Sequence, residues 1–551
     1  MAQTRGIVSA LIDRSLGWLY GLPPERCGYS AEAVTIPLKD GTILAADIYK
    51  PIGIDPLGTI LVQCPYGRGL FPSLGNARIF TPRGYQVLLV SCRGTFGSTG
   101  DFNGGVSQPQ DGQEVVAWMR LQPWYTGKFA TIGASYLSYA QWALLRDPPQ
   151  DQIAAVMSVS AHDFGISSWG SGSFSLLSRL AWTNLIVHQE SVGLLGRIRI
   201  MKNTDVAPLM DSLPLQERID AYFGTKAPWL SHALSHPDIT DPSWSQLRQT
   251  EALEKVNIPI LLTSTWQDVF LDQTMQQYQR LRERGCNVAL TIAPGTHMDS
   301  QSAKALGESF LWLEKYLAGK EEVERKHPVQ IYVGGPVPRW LELPSWPPAT
   351  ISSEFYLDSS NTLVGAQPSE ESSSSFTFDP AAPTPTLGGP LMSAGGVVED
   401  SALGTRDDTL VFTTEPLKEP LEILGRPVVK LEHSTDLPYA DIFVRLSQVD
   451  ANGKSYNVTE RFIRLPEKRD SRTVEVQMRH AAYQFPAGTR LRLLIAGGSH
   501  PQFVRNLGSA EPVATGTTLY SVKHTVHHGG QSVSSLVLPV SSLSAVGMQE
   551  E

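Results

Sequence analysis

FATIGASYLSYAQWALLR, residues 129–146, sets a short apolar run, Phe129 to Ile132, directly against a helix-forming run that begins at Tyr136. The junction Gly133-Ala134-Ser135-Tyr136-Leu137-Ser138 has the strand–turn–helix context that lifts a serine to the edge of a sheet as a nucleophile. Small residues two before and two after such a serine let the tight turn close. Gly133 meets the first requirement, whereas Leu137 occupies the second place and the small residue is displaced to Ser138. By itself the segment also reads as an ordinary strand–helix junction.

Outward from it, TILVQCPY (59–66), QVLLVSC (86–92) and QIAAVMSVS (152–160) are short and apolar throughout, with helical patterns at Gln113 to Leu121 and Tyr136 to Arg146 between them. That alternation predicts a parallel sheet covered on both faces. AVTIPLKDGTILAADIY (33–49) predicts a hairpin turning at Lys39-Asp40-Gly41. From 161 to 249 helical pieces broken by Gly, Pro and Ser replace the strands, which predicts an inserted helical cap. The α/β pattern resumes with PILLTST (259–265), a helix capped by Asp272, NVALTIA (287–293) and a helix near Ala303 to Leu317. Beyond 326 helical periodicity vanishes, and a hairpin turning at Asn452-Gly453 marks an all-β sandwich or jelly roll. AQPSEESSSS, between Gly365 and Phe376, reads as a polar surface loop. The expected domains are an α/β catalytic domain in two pieces, 1–160 and 250–325, a cap over 161–249 and a β domain over 326–551.

The 551 residues carry 45 basic and 54 acidic side chains without a long block of either sign, so no nucleic-acid or anionic-lipid footprint is present and a small-molecule partner is expected. Cys27, Cys64, Cys92 and Cys286 form no CxxC pair, which argues against a disulfide framework or structural zinc and suits a reducing cytoplasm. His524, His527 and His528 lie on a strand-like segment without an accompanying carboxylate or cysteine cluster, and neither metal nor cofactor is expected. Asp13 and Arg14 interrupt the N-terminal apolar pattern where a secretory signal needs continuity. A short amphipathic helix is expected there, packing Val8, Ile12, Leu16 and Leu19 on its own domain. No run of 18 apolar residues occurs, so no membrane span is expected.

Two further residues make the serine reading stronger. Asp268 follows PILLTST by three positions and His297 follows NVALTIA by four. Both therefore fall at the carboxyl edge of a parallel sheet, where loops converge on one crevice. Ser135 would attack a carbonyl carbon, His297 would take and return its proton, and Asp268 would fix the imidazole tautomer. The oxyanion needs donors, of which the Tyr136 N–H is one. The loop Cys64-Pro65-Tyr66-Gly67-Arg68 follows an earlier strand and is placed to supply the second, although a tyrosine there is often only a packed aromatic.

With these residues assembled, the chain resembles the CocE/NonD hydrolases, a cocaine esterase-like family related to X-prolyl dipeptidyl aminopeptidases and α-amino-acid ester hydrolases. The likeness runs from about 31 to 540. It is carried by CPYGRG around Tyr66, CRGTFGSTGDF (92–102), the block 111–142, TWQDVF (265–270), PGTH (294–297), FDPAAPTPTLGG (378–389) and SHPQFVRN (499–506). The resemblance implies an α/β-hydrolase core with a helical cap and a C-terminal jelly roll, a catalytic set of Ser135, Asp268 and His297, and an oxyanion hole of Tyr66 and the Tyr136 amide. It also implies a homodimer. The sequence departs from the family pattern at Ser138, where glycine is usual, and at Ser91, where an acid is common two before the RG pair. Phe270 and Leu271 stand where α-amino-acid ester hydrolases place carboxylates for the substrate ammonium, so aminoacyl substrates are disfavoured. Phe270, Trp182 and Trp169 are the expected walls of an uncharged acyl pocket. The expected reaction is ester hydrolysis through an acyl-enzyme, with acyl transfer, amide hydrolysis and X-Pro dipeptide release as alternatives at the same site.

Overall fold

Strands β1 (Gln3–Thr4), β2 (Gly28–Pro37), β3 (Ile43–Ile52), β4 (Thr59–Cys64), β5 (Gln86–Ser91), β6 (Phe129–Ala134), β7 (Gln152–Ser158), β8 (Ile260–Gln267), β9 (Val288–Thr296), β10 (Val329–Val333) and β11 (Arg339–Leu343) build one sheet in the computed structural model, which describes residues 2–542 except 194, 195, 197, 198 and 201. Their spatial order is 1-2-3-5-4-6-7-8-9-10-11. β4 to β10 run parallel, and β4 and β5 are buried along their whole length because helices cover both faces. The chain order reverses around β4, which lies between β5 and β6. A crevice opens at the carboxyl ends of strands flanking such a switch point. Tyr66 and Ser135 follow β4 and β6.

Between β7 and β8 the chain leaves the sheet for helices that include Phe164–Trp169, Leu176–His188, Leu215–Phe223 and Pro228–Ser235. Their apolar faces share one cluster with Tyr136 and Tyr139 of the core and Val504 and Ala514 of the C-terminal region. Cap, core and β domain are thus tied together at the crevice. The β domain packs a sheet containing Thr350–Leu357, Ser535–Ser541, Val428–Thr435 and Val522–His528 on a second formed by Thr409–Thr413, Arg490–Ala496, Asp441–Val449 and Ser455–Arg464. Inward-facing residues such as Phe412, Leu446, Val476 and Leu538 fill the space between them.

Several expectations change. β10 and β11 belong to the first sheet, β10 running parallel to β9, so that sheet extends past 325 to Leu343. Within the expected polar loop, Ser372–Phe378 is a strand paired with Val522–His528. Phe376 and Phe378 point inward, and Ser372 and Ser374 meet the ring nitrogens of His528. The helix Leu271–Glu283 is preceded by Phe270 with no side-chain cap, and Asp272 instead pairs with Arg461 of the β domain at 2.5 Å. The ring nitrogens of His524 and His527 face His433 and Ser434.

The N-terminal helix, Ile7–Leu19, docks by the opposite face from the one its apolar pattern suggests. Asp13 and Gly17 are buried, while Val8 and Leu19 are 71% and 64% exposed. Asp13 meets Arg5 at 3.0 Å and Arg78 at 2.7 Å and accepts a hydrogen bond from Tyr29. Gly17 leaves room for Arg83, whose guanidinium lies where a side chain would begin. Ion pairing, not apolar burial, holds this helix. Asp13→Ala, which leaves the buried Arg78 guanidinium without its acid and Arg5 with Glu25 alone, is expected to destabilise the protein by about 3–5 kcal/mol, read as a lower urea midpoint at unchanged slope.

Candidate active site

Ser135 stands at φ 60° and ψ −121°, a conformation that non-glycine residues adopt only where the surroundings impose it. β6 ends immediately before it and the helix Tyr136–Leu144 starts immediately after, so Oγ projects from a sharp corner. Leu137 is tolerated at the tight position because residue 133 is glycine: a Cβ at 133 would lie 2.3 Å from Cβ of Leu137. Ser138 is buried and its hydroxyl lies 2.5 Å from that of Ser160.

The structure brings Ser135, Asp268 and His297 together. Nδ1 of His297 donates to Oδ1 of Asp268 at 2.7 Å, which leaves Nε2 as the acceptor for the Ser135 hydroxyl at 3.0 Å. Asp268 is fully buried, and its second carboxylate oxygen accepts from Ser264 at 2.7 Å. The β domain reaches this loop as well: Arg479 donates to the backbone carbonyl of Asp268, and Gln267 donates to the carbonyl of Val458 at 3.2 Å. Phe270 sets its ring edge to face with His297, centroids 5.4 Å apart.

Tyr66 completes the cluster. Its hydroxyl lies beside Ser135 and accepts from the indole N–H of Trp182 at 3.1 Å. Burial holds the phenol well above its ordinary pKa, so it stays a neutral O–H donor. The side chain of Gln189 braces the same loop through the carbonyl of Pro65 at 2.8 Å. The Tyr136 N–H is the first of its helix and has no intrahelical acceptor by position. Two donors thus converge beside Ser135.

A cavity opens over Ser135 and is lined by Tyr136, Phe164, Trp182, Phe270, Met392 and Phe503. Trp182 and Phe270 are where the sequence reading put them. Trp169 is not: it packs on Phe174 inside the cap, donates its indole N–H to the carbonyl of Ala233 at 2.6 Å, and does not line the cavity. The reading missed Phe164 and Arg179 of the cap and Met392, Arg479, Gln502 and Phe503 of the β domain. Of these, only Gln502 and Phe503 had a signal, since SHPQFVRN had been singled out as a motif. Ser91, the departure two before the RG pair, takes a different partner from Arg93. Arg93 is held by Asp111 at 2.6 Å and Asp40 at 2.7 Å, and Ser91 instead meets Arg68.

A parallel sheet with an interposed cap and a serine–histidine–aspartate chain at its carboxyl edge defines a serine hydrolase of the α/β-hydrolase class. A model of the X-Pro dipeptidyl-peptidase (S15 family) matches residues 40–299, and one of the X-Pro dipeptidyl-peptidase C-terminal non-catalytic domain matches 321–537. The chain belongs to this family, in its CocE/NonD-like group. It is 25% identical to a cocaine esterase of Rhodococcus sp. over 93% of this chain and 98% of that one. Among solved structures, an α-amino acid ester hydrolase superposes with a TM-score of 0.80 at 20% identity, covering 93% of this chain and 97% of the other. A CocE/NonD family hydrolase from Staphylococcus aureus gives 0.69 at 16% identity over 93% and 94%. These two structural likenesses concern the fold.

Proposed function

We propose that the protein hydrolyses carboxylic esters through an acyl-enzyme on Ser135, with His297 as general base and acid and Asp268 as its orienting partner. The observation that carries this reading is the continuous hydrogen-bond chain Asp268–His297–Ser135 at 2.7 and 3.0 Å, with the Tyr66 hydroxyl beside the serine. Attack transfers the serine proton to Nε2 and places negative charge on the former carbonyl oxygen. The Tyr66 O–H and the Tyr136 N–H are the donors for that charge, and neither has to reorganise as it develops. Collapse expels the alcohol, protonated by His297. Water activated by the same imidazole then releases the acid.

The cavity lining favours esters over dipeptides and aminoacyl esters. A free α-ammonium needs a carboxylate, and none lines the chamber over Ser135, where the charged side chains are Arg179 and Arg479. Tyr66→Phe removes one oxyanion donor while keeping the ring. It is expected to lower kcat on an activated aryl ester by about 10²–10³ with little change in KM. Steady-state kinetics of parent and variant check this, and an unaltered kcat would remove Tyr66 from the oxyanion hole.

A further inference from the structure

The cavity over Ser135 has an unusual charge pattern for a site walled by aromatic rings. Two guanidinium groups, of Arg179 and Arg479, line it together with the hydroxyls of Ser167, Ser175 and Ser178 and the amide of Gln502, while no Asp or Glu does. Neither arginine makes an ion pair within 4 Å among the described residues. Arg179 is pinned, with Nη2 donating to the carbonyl of Phe164 at 2.7 Å and the guanidinium 5.2 Å over the Phe164 ring. Its nearest acid, Asp163, is already paired with Arg248 at 3.1 Å and caps the helix Phe164–Trp169. Burial lowers Arg179 to about 10, which leaves it charged at neutral pH.

Arg479 spends one N–H on the carbonyl of Asp268 and keeps Nε buried without a partner. It also walls a second chamber, which shares Ser167, Ser175, Val269, Pro390, Gln502 and Phe503 with the first. The acids of that second chamber are engaged by other arginines: Asp272 with Arg461 at 2.5 Å and Arg426 at 3.6 Å, Glu460 with Arg445 at 2.6 Å. Both are close enough to Arg479 to interact with it, but neither neutralises it by contact. A desolvated guanidinium is stabilised by a planar anion that its fork can grip, and among the described residues no carboxylate lies within 4 Å of either arginine.

From this juxtaposition we propose that the substrates are esters bearing a carboxylate group, which docks against Arg179 and Arg479 while the aromatic wall takes the apolar part. The geometry leaves open two positions for that carboxylate, the acyl part or the alcohol part, and the two are separable. The kinetic test rests on the ester-hydrolase reading above; a binding test does not.

Values of kcat/KM are measured at fixed ionic strength for two pairs, each normalised to alkaline hydrolysis. The monophenyl ester of glutaric acid against the phenyl ester of its monoamide probes the acyl side. A 4-carboxyphenyl against a 4-carbamoylphenyl butyrate probes the alcohol side. In at least one pair the anion is expected to be preferred about 10- to 100-fold, the size of one charge-assisted hydrogen-bonded contact. The preference is expected to fall close to unity in Arg179→Met and in Arg479→Met and to return in part in Arg179→Lys. Each ratio is internal to one protein preparation, so a misfolded fraction cancels. No preference in either pair, or the same preference in parent and both methionine variants, overturns the proposal. If no ester is cleaved, the ester reading fails, and calorimetric titration of the glutarate monoanilide into Ser135→Ala decides the anion site. Binding that weakens tenfold or more in the added Arg179→Met supports it; no binding at millimolar concentration overturns it.

Discussion

Ser135→Ala is expected to lower turnover of an activated aryl ester about 10⁶-fold, the scale on which loss of a serine nucleophile abolishes the covalent route. The fold should survive, because among the described residues Ser135 Oγ bonds only within the site, to His297, and the helix that follows is held by buried Tyr139, Trp142 and Leu144. Alanine must still adopt the positive φ of the corner, which costs of order 1 kcal/mol, as serine already did. The remaining rate should be that of an oxyanion hole without a nucleophile, roughly 10³–10⁴ above water. Intact-protein mass spectrometry after a fluorophosphonate gives the second reading: one adduct on the parent protein, none on the variant. Equal turnover by parent and variant would end the serine-hydrolase reading.

Ser135, Asp268 and His297 were legible because the ends of buried strands are legible. An apolar run such as ILLTST, alternating with helical patterns, reads as a covered parallel strand, and the polar residues just after it then fall at the sheet's carboxyl edge. The pocket wall had no such rule. Trp169 and Trp182 both sit in helices of the cap, and tertiary packing sends one into the core and the other to Tyr66. Arg479 comes from a separate domain, and nothing local in RHAAY indicates that it reaches the loop of Asp268. The N-terminal helix misled for a physical reason: apolar periodicity predicts which face docks only when burial of apolar area dominates, and here Asp13 between two arginines outweighs it. That β10 and β11 join the first sheet was not legible, because a period-two pattern identifies a strand and says nothing about the sheet it joins.

Arg479 also bears on how the site is assembled. Hydrogen bonds from Arg479 and to Val458 fasten the loop after β8 to the β domain, so the acid of the catalytic set is positioned by two domains at once. The added domains thus do more than wall the crevice: they help to set the geometry on which proton transfer depends.

That dependence makes Asp268→Asn the second large effect, an expected loss of about 10⁴ in kcat at neutral pH with KM little changed. The carboxylate accepts from both Nδ1 of His297 and the Ser264 hydroxyl and is fully shielded from water. An asparagine fits the same space but carries one N–H₂ group. Placed toward His297, it donates to Nδ1 and forces the other tautomer, in which Nε2 holds the hydrogen and has no lone pair for the serine proton. Placed toward Ser264, it leaves the tautomer correct but withdraws the negative charge that stabilises the imidazolium as it forms. Either arrangement slows acylation without altering the cavity, so stopped-flow release of the aryl alcohol should slow as much as kcat does, and fluorophosphonate labelling of Ser135 should slow with it. Asp299, the nearby acid in sequence, holds the backbone N–H and hydroxyl of Thr296 with its Oδ2 at 2.7 and 2.8 Å and makes no ion pair with His297 within 4 Å among the described residues. Activity within tenfold of the parent would therefore mean that the histidine is oriented without a carboxylate, and the assignment of Asp268 would fall.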